Sequence, residues 1–285
     1  MSLPPAGLAG LDPAWSREIT GPDSTGTTRT WHVLDSGEGT GPSGTLLCIH
    51  GNPSWSYLWR RLVAAPPAGW RVIAIDHLDM GFSERTGTVR RLAQRVDDLD
   101  SLTQALNLTG PVVTVAHDWG GPISLGWAER HVDQLAGVVL SNTGVHQPEG
   151  SPAPTVIRAA RTPAMLNAVT KRTRNFIRGG LFFSRPLPSR EIRAGYYAPY
   201  DKTDRRAAIE EFVQDIPLEP GHPSAAALDE IAAGLDKLAD VPVLLLWGPR
   251  DPVFSDLYLR DLIDRMPHAD VHRYEGSSHF VPEDA

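Results

Sequence analysis

The sequence predicts an α/β fold, a mostly parallel β-sheet flanked by helices and interrupted late in the chain by a helical insertion. Three observations carry this. Short apolar runs closed by turn residues recur at 45–49, 72–75, 112–116, 137–140 and 243–247, the pattern of strands buried on both faces. Helical periodicity alternates with them, notably at 89–108 and 121–131, as it does when helices cover a parallel sheet. The rhythm breaks after Leu140 and resumes at Val243; a structureless loop of about a hundred residues is foreign to a compact domain, so this stretch reads as a helical cap.

The elements follow in order. The first forty-odd residues are rich in Gly, Pro, Ser and Thr, with a strand-like stretch around 29–34, and read as a loose arm and an edge hairpin. A core in two parts, 1–142 and 241–285, with the cap at 143–240 between them, accounts for the 285 residues. A net charge of -7 argues against a nucleic-acid partner. The start Met1-Ser2-Leu3-Pro4-Pro5 lacks the basic and apolar segments of a signal peptide, and no apolar run is long enough to span a membrane, so a cytoplasmic location is expected. The single cysteine, Cys48, lies in an apolar run and is expected to be a buried free thiol. Within the cap, residues 151–206 hold twelve Lys or Arg against three acids, Glu191, Asp201 and Asp204, a basic stretch in an acidic protein. Its apolar Met165, Leu166, Val169, Phe176, Ile177, Leu181, Phe182 and Phe183 are expected to pack the cap, some of them lining an apolar channel.

The chemistry concentrates in Val115-Ala116-His117-Asp118-Trp119-Gly120-Gly121, between a strand and a helix. Small residues flanking a central polar one suit a sharp strand-to-helix turn that lifts the central side chain above the sheet. Here that side chain is Asp118. A carboxylate is already ionised at neutral pH and can attack carbon without a base, forming an ester that a second step must resolve. An aspartate before a helix can also be only an N-cap, so companions matter. Ser277-Ser278-His279-Phe280 supplies a histidine after the strand-like 271–274, and Trp247-Gly248-Pro249-Arg250-Asp251 supplies an acid at the carboxyl end of a buried strand, the edge where such folds build their sites. Asp251 would orient His279 and stabilise its charged form, and the chain order nucleophile, acid, histidine agrees. His50-Gly51-Asn52-Pro53 follows the strand at 45–49. Its backbone, with that of Trp119, can supply the N–H groups of an anion hole, and the side chains of Asn52 and Trp119 are further donors for a halide or leaving oxygen.

The segments His50-Gly51-Asn52-Pro53-Ser54-Trp55-Ser56-Tyr57-Leu58-Trp59, Ala116-His117-Asp118-Trp119-Gly120-Gly121 and Trp247-Gly248-Pro249-Arg250-Asp251 resemble the haloalkane dehalogenase branch of the α/β-hydrolases, from about Arg29 onward. The Asn and Trp pair with an acid after the late strand is similar to the third dehalogenase subfamily. Tyr197-Ala198-Pro199-Tyr200-Asp201 and Phe212-Val213-Gln214-Asp215-Ile216-Pro217-Leu218 resemble the β-lactone decarboxylases of bacterial long-chain olefin biosynthesis within it. The resemblance implies a cis-β-lactone bearing two long alkyl arms, converted without a cofactor to an alkene and carbon dioxide, and it makes other olefin-pathway enzymes, or a fused acyl-activating domain, the expected partners. One departure stands out: the chain stops six residues after His279, where this fold normally continues into a final helix, so the expectation is either a piece of a longer polypeptide, such as a fusion, or a face covered by something else. A haloalkane dehalogenase would use the same five residues. An epoxide hydrolase would need acids from Tyr196, Tyr197 or Tyr200, and a non-catalytic binding subunit would keep the fold without turnover.

Overall fold

The computed structural model describes residues 3–37, 43–148, 153–219 and 221–285. Among the described residues eight strands, β1 (Ser16–Pro22), β2 (Thr28–Asp35), β3 (Gly44–Ile49), β4 (Trp70–Ile75), β5 (Val112–His117), β6 (Leu135–Ser141), β7 (Val243–Trp247) and β8 (Asp270–Arg273), form one sheet in the order β1-β2-β4-β3-β5-β6-β7-β8. The β1–β2 hairpin joins β4 antiparallel, and the remaining pairs are parallel. The hairpin forms that edge of the sheet, as expected, and is packed into it: Trp31, Val33 and Leu34 of β2 are buried. The central strands β3 and β5 are buried almost throughout, which is why their sequences run apolar without alternation.

The helices are α1 (Arg60–Ala64), α2 (Leu92–Ala105), α3 (Gly120–Ala128), α4 (Thr155–Ala160), α5 (Asn175–Phe182), α6 (Arg190–Tyr197), α7 (Ala207–Gln214), α8 (Pro223–Gly234), α9 (Asp256–Arg265) and α10 (Val281–Asp284). The periodic stretches at 89–108 and 121–131 thus condense into α2 and α3, the first starting three residues later than its pattern because 89–91 are held outside the helix by side-chain ties. Arg90 binds Asp98 and Asp23, and Arg91 binds Asp215. Between β6 and β7 the described residues contain helices and turns and no strand. The last of these helices, α8, packs on α2 and α3. Cys48 is buried and unpaired. Among the described residues no helix is long and apolar enough to cross a membrane.

The sheet order decides where a site can form. Strand β3 pairs with β4 on one side and β5 on the other, so the chain winds outward from here in both directions, and the loops leaving the carboxyl ends of β3 and β5 diverge to leave a crevice. Ile49 is in register with Ala116, and His117 with Ser141. Asn52, Asp118 and Asn142 therefore emerge side by side.

Candidate active site

Asp118 is the first residue past β5 and has a positive φ of 54°, a conformation that Asp and Asn tolerate better than most residues. Its backbone N–H donates to Asn142 O at 3.1 Å, and its carbonyl accepts from Gly121 N at 2.9 Å and Thr143 Oγ1 at 2.6 Å. The turn is tight enough that a Cβ on Gly121 would overlap Thr143, and one on Gly51 would overlap the Asp118 carboxyl group. This close approach explains the glycines that the motif carries.

The Asp118 carboxylate is buried and accepts the Asn52 backbone N–H at 2.6 Å and the backbone N–H of Trp119. Burial is the largest influence on its pKa and disfavours the charge. The nearby His279 and the two N–H groups offset burial only in part, and the pKa rises from 3.8 to about 6. At neutral pH the group is ionised but poorly solvated, which suits a nucleophile.

His279 faces the same crevice. Its Nδ1 lies 2.9 Å from Asp251 Oδ2, so with the proton on Nδ1 the imidazole is oriented by the acid and Nε2 is left for chemistry. Burial works against the imidazolium, but the charges of Asp251 and Asp118 outweigh it and the His279 pKa is raised. Asp251 is itself fixed by Asn142 Nδ2 at 2.9 Å and by the Val253 N–H at 2.7 Å. The His279 loop is pinned from below. His117 Nε2 bonds the His279 carbonyl at 2.7 Å, and Ser278 N–H donates to Asp284 at 2.7 Å. Just beyond, Glu283 of α10 is gripped by Arg60 through two 2.8 Å bonds. Phe254 stacks parallel to the His279 ring at 6.1 Å.

The five residues singled out by the sequence therefore gather around one crevice, with one difference in detail. The Asn52 side chain donates to Ile209 O of α7 at 3.2 Å, so its amide ties the cap to the core as well as bordering the site. Among the described residues the Trp119 indole N–H has no hydrogen-bond partner, and the indole lies 5.8 Å from Phe212 of α7. Of the three tyrosines, Tyr197 carries the Arg174 guanidinium over its ring and is absent from the lining of the cavities at Asp118, and the other two are hydrogen-bonded elsewhere. Tyr196 donates to Glu283 at 3.0 Å, and Tyr200 donates to Ser54 O at 2.7 Å; neither borders the cavities at Asp118. Those cavities are apolar, one of about 110 Å³ and one of about 230 Å³, and both reach Asp118 and Trp119. Val169, Phe176 and Phe183 line the larger, as expected of part of the cap's apolar set. Met165 and Phe182, expected to pack inward, are instead 48% and 63% exposed, because the short helices around them bury only one face each.

Sequence reasoning passed over Asn142 and Thr143, which clamp the Asp118 backbone, and His117 and Phe254, which hold His279. Asn142 and Thr143 carried a usable signal. They follow β6 at the same sheet edge that drew attention to Asp251. Phe254 carried none, since an aromatic in a loop has no distinguishing pattern.

The fold, the elbow at Asp118 and the Asp251–His279 pair define a class, and comparison with known proteins agrees. A family model described as the alpha/beta hydrolase fold matches residues 44–285, and the chain belongs to that family. Within it, the chain is 35% identical over 260 residues to the cis-3-alkyl-4-alkyloxetan-2-one decarboxylase of Shewanella oneidensis, covering 89% of this chain and 80% of the relative. It is 32% identical to the haloalkane dehalogenase of Mycobacterium marinum, covering 89% and 84%. Among solved structures, the haloalkane dehalogenase DatA of Agrobacterium tumefaciens C58 superposes with a TM-score of 0.79 at 22% identity, covering 94% of this chain and 91% of that one, a likeness of fold.

Proposed function

We propose that the protein decarboxylates a cis-3,4-dialkyl-β-lactone to a cis-alkene and carbon dioxide, with Asp118 as nucleophile. The observation that carries the mechanism is the buried Asp118 carboxylate, held by the Asn52 and Trp119 N–H groups beside His279 and opening onto apolar cavities. The similarity to the Shewanella decarboxylase supports the substrate. Asp118 attacks the ring carbon bearing oxygen, and the C–O pair leaves with the lactone carboxylate. That carboxylate then loses carbon dioxide, its C–C pair forms the double bond, and the Asp118 carboxylate is expelled. Inversion followed by anti elimination keeps the cis geometry, and the atoms balance without water or an added cofactor. In this scheme His279, its charge supported by Asp251, stabilises the released carboxylate, and the Trp119 indole and Asn52 amide receive the leaving oxygen.

The second reading is hydrolytic dehalogenation by the same residues, with halide at the Trp119 indole and His279 activating water. It is favoured by the unengaged indole N–H and the similarity to the Mycobacterium enzyme. The committed hydroxyls of Tyr196 and Tyr200 count against epoxide opening, and the assembled polar set counts against a non-catalytic subunit. Incubation with a long-chain cis-β-lactone and, separately, a 1-bromoalkane, assaying alkene and bromide, separates the readings. Alkene from the lactone is expected; bromide without alkene overturns the proposal.

We further propose a cytoplasmic enzyme whose basic cap meets other olefin-pathway enzymes. Of the twelve cations in 151–206, only Arg161 forms an ion pair among the described residues. Apart from the buried Arg206, unneutralised charge of this kind is available to an acidic partner.

A further inference from the structure

Two cavities leave Asp118, and they differ in size and in ending. The smaller, about 110 Å³, runs past Pro122 to Leu218 and Leu228 and meets the polar His146 and Gln147. There the Tyr258 hydroxyl donates to Gln147 at 2.8 Å. An alkyl chain long enough to reach these groups would lie against polar side chains instead of apolar wall, so each further methylene gains less there. The larger, about 230 Å³, starts at Asn52 and His279 and runs beneath Phe176, Gly179 and Phe183 of the α5 region. Ile157, Ile216 and Val253 border both cavities and stand where the two part.

We propose that each cavity seats one alkyl arm of the lactone, the longer on the His279 side against α5 and the shorter toward α8, so that the enzyme gauges the arms separately. This rests on the β-lactone reading. A four-membered ring is nearly flat, so cis substituents on adjacent carbons leave from one ring face and diverge. Two cavities opening from one carboxylate and parted by three aliphatic side chains match that shape, whereas a substrate with one chain needs only one of them. Each methylene that finds apolar wall should raise kcat/KM by about fourfold until its cavity is full.

The test uses cis-3-decyl-4-ethyl-oxetan-2-one and its positional isomer cis-3-ethyl-4-decyl-oxetan-2-one, with the diethyl lactone as the short reference. Gly179 lines the larger cavity and a Cβ added there meets no atom within 4 Å, so Gly179→Leu can be built at the wall of that cavity without a clash at its first carbon. Leu218→Trp fills the smaller one, with Leu228→Phe as an independent second variant. The readout is the ratio of kcat/KM for the two isomers, which does not depend on how much of a variant is folded. The wild type is expected to prefer one isomer. Gly179→Leu should reduce that preference at least tenfold, and Leu218→Trp should leave it or strengthen it. No preference in the wild type, or the same change of ratio in both variants, overturns the separate seats. Absence of alkene from all three lactones in the wild type overturns the β-lactone reading itself.

Discussion

Asp118→Asn should abolish turnover and, at neutral pH, make the protein more stable. Lifting the carboxyl pKa from 3.8 to about 6 corresponds to about 3 kcal/mol of unfavourable ionisation in the folded state at pH 7. Because the folded pKa is the higher, the folded protein takes up the proton first. The penalty is therefore full above about pH 7, falls to roughly half at pH 5 and vanishes below the unfolded value. Asparagine carries no charge at any of these pH values, and it suits the positive φ of 54° as well as aspartate does. Its oxygen can still accept the Asn52 N–H, while its NH2 group must find a partner, so the gain should be about 1–3 kcal/mol at pH 7.5, or about 2–8 °C in Tm. Thermal and urea unfolding at pH 7.5 and pH 5 measure it, on fresh protein whose intact mass excludes deamidation. A variant no more stable than wild type at pH 7.5, or one whose advantage does not shrink at pH 5, would refute the idea that burial holds this carboxylate in an unfavourable charged state. Retained turnover would refute its role as nucleophile.

His279→Gln should accumulate a covalent adduct on Asp118 with any substrate whose second step is attack by water, visible by intact-protein mass spectrometry; the lactone path above predicts no accumulation with the β-lactone. For the wild type, kcat/KM should fall as pH drops through about 6, because protonation would neutralise Asp118, the proposed nucleophile; a flat profile from pH 5 to 8 speaks against that role. Asn142→Ala should cost about 3 kcal/mol in urea unfolding and lower kcat, since it deletes the side-chain bonds to Gly248 and Asp251 and puts alanine at a positive φ. Changing Arg158, Arg161, Arg172 and Arg174 together to Glu should weaken salt-sensitive co-purification with olefin-pathway enzymes while a short soluble lactone is still turned over; loss of that turnover with partners kept would mean the charges serve the cap.

The sequence made the core legible because a parallel sheet buried on both faces leaves unbroken apolar runs, and each run ended within two residues of its observed strand. The site was legible for a related reason. Asp118, Asp251 and Asn52 each sit within four residues of the end of such a run, where the carboxyl edge of the sheet must lie. The cap was harder. Short helices that each bury one narrow face give weak periodicity, so exposed Met165 and Phe182 looked no different from buried Ile177 and Leu181.

By itself, then, the sequence determined the α/β architecture, the strand-to-helix turn at Asp118 and the chain order of the polar groups, because local patterns of burial and turn chemistry are written residue by residue. Tertiary structure alone decided the rest. Strand order placed Asn142 between Asp118 and Asp251. Burial lifted the Asp118 pKa. Packing of the cap turned the Asn52 amide toward Ile209, committed Tyr196 and Tyr200 to other partners, and left two unequal cavities over the carboxylate. These depend on distances between residues far apart in the chain, which the sheet's register and the helices' packing set and no local sequence pattern records.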